Sequence, residues 1–154
     1  MKLSDITMEK LTNAGWYEGR KIDIQDIKDL FKERGIDLFE TAEKFLTEFA
    51  MLEITFQDPN SSFDMEEYIH FNPKWSVGDC LDGEYFQDLV EEHNDEIREK
   101  VIPVGETDRG NLILLITPSE KYYGYTDGCL VKFGDHTEEM LECLCLPKVP
   151  KTFW

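Results

Sequence analysis

The sequence predicts an α+β fold: a central, twisted, mainly antiparallel sheet with a C-terminal meander, flanked by about five helices. Three observations carry this. Leu112–Ile116 is an unbroken apolar run closed by Thr117-Pro118-Ser119, the signature of a strand buried on both faces. Asp127-Gly128 separates two further strand-like stretches, 121–126 and 129–133, and Asp-Gly between such stretches is a hairpin signal because both turn positions need positive φ. The segments before and after residues 102–133 carry apolar residues at helical spacing, which must be buried on that sheet.

The elements follow in order. Ser4 or Asp5 can cap a first helix running to about Ala14, with Met8, Leu11 and Ala14 on one face and Gly15 at its C′ position. Gly15-Trp16-Tyr17-Glu18-Gly19-Arg20 then makes a sharp turn, in which Trp16 plugs the core and Arg20 meets a carboxylate. Asp23 caps a second helix to Arg34, stopped by Gly35. A third spans about 39–50 with Ala42, Phe45, Leu46 and Phe49 inward. Residues 52–57 alternate as a strand, Asp58-Pro59-Asn60-Ser61-Ser62 turns, and 67–71 returns. On that returning strand Tyr68 and His70 share one half-exposed face, with Ile69 and Phe71 on the other. Residues 74–83 are loop-like, anchored by Trp75, and 84–100 form a strongly acidic helix. After the meander, Asp135 caps a last helix from His136 to about Cys145, and 146–154 is an extended tail.

The chain of 154 residues reads as a single domain, 1–154, with enough apolar and aromatic content, 41% and 12%, to build a core. Its charge is the outlier: 33 acidic residues against 16 basic give −17. That field repels nucleic acid and anionic membrane and attracts basic partners. The first ten residues hold no secretory signal, no apolar run approaches the roughly 20 residues of a membrane helix, and four cysteines read as reduced thiols, so the expected location is cytoplasmic.

Tests for chemistry come back negative. Cys143 and Cys145 diverge by about 200° on a helix, which is not a zinc spacing, so no metal is expected. No cysteine or serine sits in a nucleophile turn, and Gly105-x-x-x-x-Gly110 lacks both the Lys and the helix of a phosphate loop. The acidic helix is different. Glu84, Asp88, Glu91, Asp95 and Glu99 recur on one stripe with Glu92 and Glu96 beside it, opposed only by Arg98 and Lys100. Like charges at i,i+4 cost a few tenths of a kcal/mol each. Such a cost hints at use, although a solvated face is the commoner explanation.

The chain resembles the SUKH superfamily, in particular its third subfamily of bacterial immunity proteins. The resemblance begins at Leu11-x-x-Ala14-Gly15-Trp16-Tyr17-x-Gly19-Arg20. It continues through Phe45-Leu46-x-x-Phe49 and Ile102-Pro103-Val104-Gly105 to Leu112–Ile116, Tyr122-Tyr123-Gly124 and the last helix, covering about residues 3–146. Glu18 departs from the pattern, which more often has proline there. The resemblance implies a sheet flanked by helices and a non-catalytic role without cofactor: binding and neutralising a cognate toxin domain of a polymorphic or contact-dependent system. Many such toxins are nucleases with basic clefts. Within that reading the charge points to Asp79, Asp82, Glu84, Asp88, Glu91, Glu92, Asp95 and Glu96 as toxin contacts. Trp75, Tyr85 and the Phe153-Trp154 tail are the available aromatic anchors, while Gly15, Trp16, Gly19 and Arg20 are assigned to structure. A competing reading is a small-molecule-binding regulator or enzyme with a pocket between sheet and helices; a general interaction scaffold is a third. Oligomeric state has no signal in the sequence.

Overall fold

A computed structural model describes residues 2–57 and 66–146, with the backbone of Thr152 and Phe153. Three helices, α1 (Asp5–Asn13), α2 (Gln25–Glu33) and α3 (Glu40–Phe49), precede strands β1 (Glu53–Gln57) and β2 (Glu66–His70). Helices α4 (Pro73–Val77) and α5 (Gly83–Glu92) lead to β3 (Ile102–Thr107), β4 (Leu112–Ile116), β5 (Tyr122–Thr126) and β6 (Cys129–Gly134). Helix α6 (Thr137–Cys145) and a two-residue strand, β7 (Thr152–Phe153), end the chain. The strands lie in one sheet in sequence order, each antiparallel to the next. The expected turn at 58–62 lies outside the described residues, as does Trp154.

The meander forms as expected. Asp127 and Gly128 both adopt positive φ, 41° and 83°, as a two-residue hairpin turn demands. In β4, Leu114, Leu115 and Ile116 are all fully buried, so both faces of this strand are covered. Alternation sorts the coverage. Tyr122 packs on Phe45 of α3, with ring centroids 5.6 Å apart, whereas Tyr125 packs on Tyr85 of α5 at 6.4 Å. Phe45 also meets Phe49 and Phe71 at 5.0 and 5.3 Å, which centres the aromatic core on the α3 side. Helix α1 closes that side against α6: the Ser4 amide donates to Glu142, and Lys10 donates to the Cys145 carbonyl from above the Phe56 ring.

The joint between β2 and β3 is narrow, with His70 opposite Glu106 as the paired residues. Strand β3 bulges between Pro103 and Gly105, and a Cβ on Gly105 would fall 2.0 Å from the His70 carbonyl oxygen. Glycine is required there because the two backbones touch. Ser76 of α4 donates to the Gly105 carbonyl at 2.7 Å and pins the bulge.

The N-terminal corner accounts for its polar groups completely. Gly15, at φ 111°, sits at C′ of α1; its N–H donates to Thr12 and that of Trp16 to Leu11, the paired bonds of a Schellman cap. Trp16 is then 8% exposed, stacked on Phe49, and its Nε1 donates to the Glu48 carboxylate at 2.9 Å. Arg20 does not meet a carboxylate. Its guanidinium donates to the carbonyls of Glu48 and Ala50 at the end of α3, while the Ile22 amide takes the Thr47 carbonyl. The last carbonyls of a helix have no intrahelical donors and carry its negative end, so they outcompete a solvated carboxylate for this cation.

Four other expectations change. The segment after β2 is not all loop: Asn72 caps a one-turn helix with Pro73 at its first position. His70 is not half-exposed but 2% exposed, held between Glu106 and the Asn72 amide. Because Nδ1 accepts from that amide, the ring proton lies on Nε2 and is donated to Glu106 at 2.8 Å. Helix α2 begins at Gln25, with Asp23 accepting from the Gln25 amide one residue before the Ile24 cap position. Helix α6 is capped by His136; Asp135 is instead paired with Lys132.

Candidate protein-binding surface

The acidic helix is shorter than its charge pattern. Asp82 caps α5 by accepting from the Tyr85 amide at 3.1 Å. Phe86 and Leu89 face the sheet, and regular helix stops at Glu92. His93 turns its ring onto Tyr125, at 5.7 Å and 80°, and residues 93–97 continue as a turn that buries Ile97. The stripe drawn through residue 99 therefore breaks after Glu91. Burial of His93 and Ile97 against the sheet wins over continued helical hydrogen bonding, in a stretch where Asn94 and Asp95 are weak helix formers.

Of the eight acidic positions expected to form one surface, the structure divides them by what they already do. Asp82 is consumed by the cap. Glu92 accepts from the Tyr125 hydroxyl at 3.4 Å, and Glu96 is half-buried 3.9 Å from His93. Asp79, Glu84, Asp88, Glu91 and Asp95 are exposed and have no hydrogen-bond or ion-pair partner among the described residues. Arg98 and Lys100 do not neutralise them: Lys100 is bonded to Asp37 at 2.6 Å, and Arg98 is unpaired among the described residues. Glu99 has left the stripe to accept from the Ser119 amide at 3.1 Å.

The two aromatic candidates are related by the sheet. His70, Glu106, Ile113, Tyr125 and Leu130 are successive cross-strand partners from β2 to β6, so their side chains form one row on one face. Trp75 of α4 stands on His70 at one end of this row, centroids 5.0 Å apart, and Tyr85 stands on Tyr125. His70 and Tyr125 are three strand spacings apart, about 14 Å. Trp75 is 53% exposed and Tyr85 half-buried, so both lie on the α4–α5 side of the sheet with rim area accessible. Burial, then the neighbouring Tyr125 and the carboxylates of Asp127 and Glu92, pushes the Tyr85 hydroxyl up from its ordinary value and keeps it neutral.

An acidic surface on a helix-flanked meander is now joined to a sequence match. The profile of the SUKH-3 immunity protein family matches residues 3–146. The chain belongs to this family. Comparison with curated proteins and with solved structures returns no match. The segment of this SUKH-3 protein covered by the family match includes both the corner at Gly15–Arg20 and all of α5, and ends before β7.

The exposed thiols of this SUKH-3 protein are Cys80, in the turn between α4 and α5, and Cys129, at the start of β6, while Cys145 is buried and its thiol is pushed up to about 12, chiefly by that burial. Among the described residues no helix is long and apolar enough to cross a membrane. The sequence names no residues for a pocket between sheet and helices; beside α5 the structure has a cleft of about 400 Å³ bounded by the α2–α3 connection and residues 98–102. Its residues come from three separated segments, and no spacing rule joins them.

Proposed function

We propose that this SUKH-3 immunity protein neutralises a cognate toxin domain of nuclease type, and that α5 offers its carboxylates to the toxin's basic, phosphate-binding cleft. The observation that carries this reading is the set of exposed carboxylates on α5, Glu84, Asp88 and Glu91, which stand without counter-ions in a chain of net charge −17. Uncompensated charge on a short rigid element suits fast, salt-sensitive capture of an oppositely charged partner. Asp79 and Asp95 flank the helix and extend the charged strip. Trp75 and Tyr85, on the same side of the sheet, supply the apolar area that affinity needs, since charge sets rate and register more than binding strength. The protein acts by occupying the toxin, not by catalysis.

The test is association with the toxin domain encoded at the protein's own locus, measured by stopped flow across a salt series. Reversing Glu84, Asp88 and Glu91 to Lys slows capture and flattens the salt dependence. Wild-type rate and slope in that variant would place the interface elsewhere.

A further inference from the structure

The cleft beside α5 has an apolar floor: Ile36, Phe86, Val101 and Ile102 are buried, and Val90 is half-buried. Its frame is cross-braced. Arg34 donates to the carbonyls of Leu81 and Gly78, both at 2.9 Å, and the Gly83 amide donates to the Arg34 carbonyl at 2.9 Å. Gly83 lies so close to Gly35 that a Cβ would fall 2.0 Å from its carbonyl oxygen. On the opposite wall, Lys100 is bonded to Asp37 and Glu99 to Ser119. These bonds consume the charges of the frame. Glu91 and Arg98 are left, carrying opposite charges into the lining of one cleft, without an ion pair between them and without partners among the described residues.

We propose that this cleft binds a free α-amino acid with an apolar side chain. Its carboxylate would meet Arg98, its ammonium would meet Glu91, and its side chain would cover the Phe86–Val90 floor. A lone anion would enter against the field of the whole chain and the carboxylate of Glu91. A lone cation would be drawn in by that field but would leave Arg98 without a partner. A zwitterion of zero net charge, with both charges at one end and an apolar body, satisfies both groups and the floor together. The volume lies within the range of small-molecule sites, and the braced walls reduce the ordering cost of binding. The site shares Glu91 with the proposed toxin-facing strip, but its ligand test is read without toxin, so either reading can fail alone.

Three probes that share a ring test it by calorimetry and amide NMR: L-phenylalanine, phenylacetate, which lacks the ammonium, and phenethylamine, which lacks the carboxylate. The expected result is saturable binding of L-phenylalanine with shifts at Phe86 and Val90, and at least about tenfold weaker binding of both analogues. Arg98→Ala should weaken L-phenylalanine and phenylacetate and leave phenethylamine unchanged; Glu91→Gln should weaken L-phenylalanine and phenethylamine and leave phenylacetate no weaker. Both positions are exposed, and circular dichroism verifies that each variant is folded. Absence of saturable L-phenylalanine binding, equal binding of the three probes, or binding that neither variant alters overturns the proposal.

Discussion

The N-terminal corner and helix α5 are both rich in charge, but they use it in opposite ways. At the corner, Arg20, Glu48 and the Trp16 indole are bonded to one another's elements, and the carbonyls ending α3 each have a donor. On α5, Glu84, Asp88 and Glu91 have no such partners among the described residues. The corner shows that charge enclosed by its own chain joins elements together. The helix shows that charge left open, at a small cost in self-repulsion, is available to something outside. Disturbing the corner should therefore affect stability and leave partner capture per folded molecule alone; disturbing the helix should do the reverse.

The largest effect expected is Trp16→Ala, a loss of about 3–5 kcal/mol in denaturant unfolding, because it opens a cavity against Phe49 and strands the Glu48 carboxylate. A folded Trp16→Ala protein of undiminished stability would break the comparison by moving this residue to the functional side. Arg20→Gln comes next. It leaves carbonyls at the end of α3 short of donors, at a cost of roughly 1–3 kcal/mol, and Arg20→Lys should recover only part because a single ammonium cannot span both acceptors.

Reversal of Glu84, Asp88 and Glu91 to Lys should slow toxin capture at low salt by roughly tenfold or more, with the unfolding midpoint unchanged or slightly raised. A large fall in stability would sharpen the comparison the other way, by exposing internal partners for these acids. The last effect is confined to alkaline solution. Burial, with a hydrogen bond to Glu53, raises the Tyr68 hydroxyl to about 12; burial is also the chief cause that raises the Cys145 thiol to about 12 and pushes the Tyr122 hydroxyl up. The unfolded chain releases these protons near the ordinary values of about 9–10, so it binds fewer protons there than the folded chain. Stability is constant in this respect below about pH 9 and declines between there and pH 12. Denaturant midpoints taken from pH 7 upward should show the fall, and Cys145→Ala should flatten it.

Much of the fold was legible. Leu112–Ile116 had to be covered on both faces because it offers no polar side, and Asp127-Gly128 had to turn because few other dipeptides hold two positive φ values. The site was legible only in part. The acidic spacing from Glu84 onward is helical in the sequence, yet the helix ends at Glu92 because His93 and Ile97 find burial on Tyr125 and the sheet. Periodicity reports what a segment would do alone and is silent on which long-range contact interrupts it. Arg20 was placed on a carboxylate for the same reason: charge pairing is visible in a sequence, whereas the unpaired carbonyls of a helix end become acceptors only after the chain folds back on them.

By itself the sequence determined the α+β class, the order of the meander and the sign of the net charge. Each follows from local rules: period, turn chemistry and the count of charges. Only the tertiary structure decided which carboxylates remain uncommitted, that Trp75 and Tyr85 share one sheet face, and that Glu91 and Arg98 line one cleft without pairing. Those facts depend on which distant segments approach each other. Partners at such separations are selected by packing, which no local pattern of residues encodes.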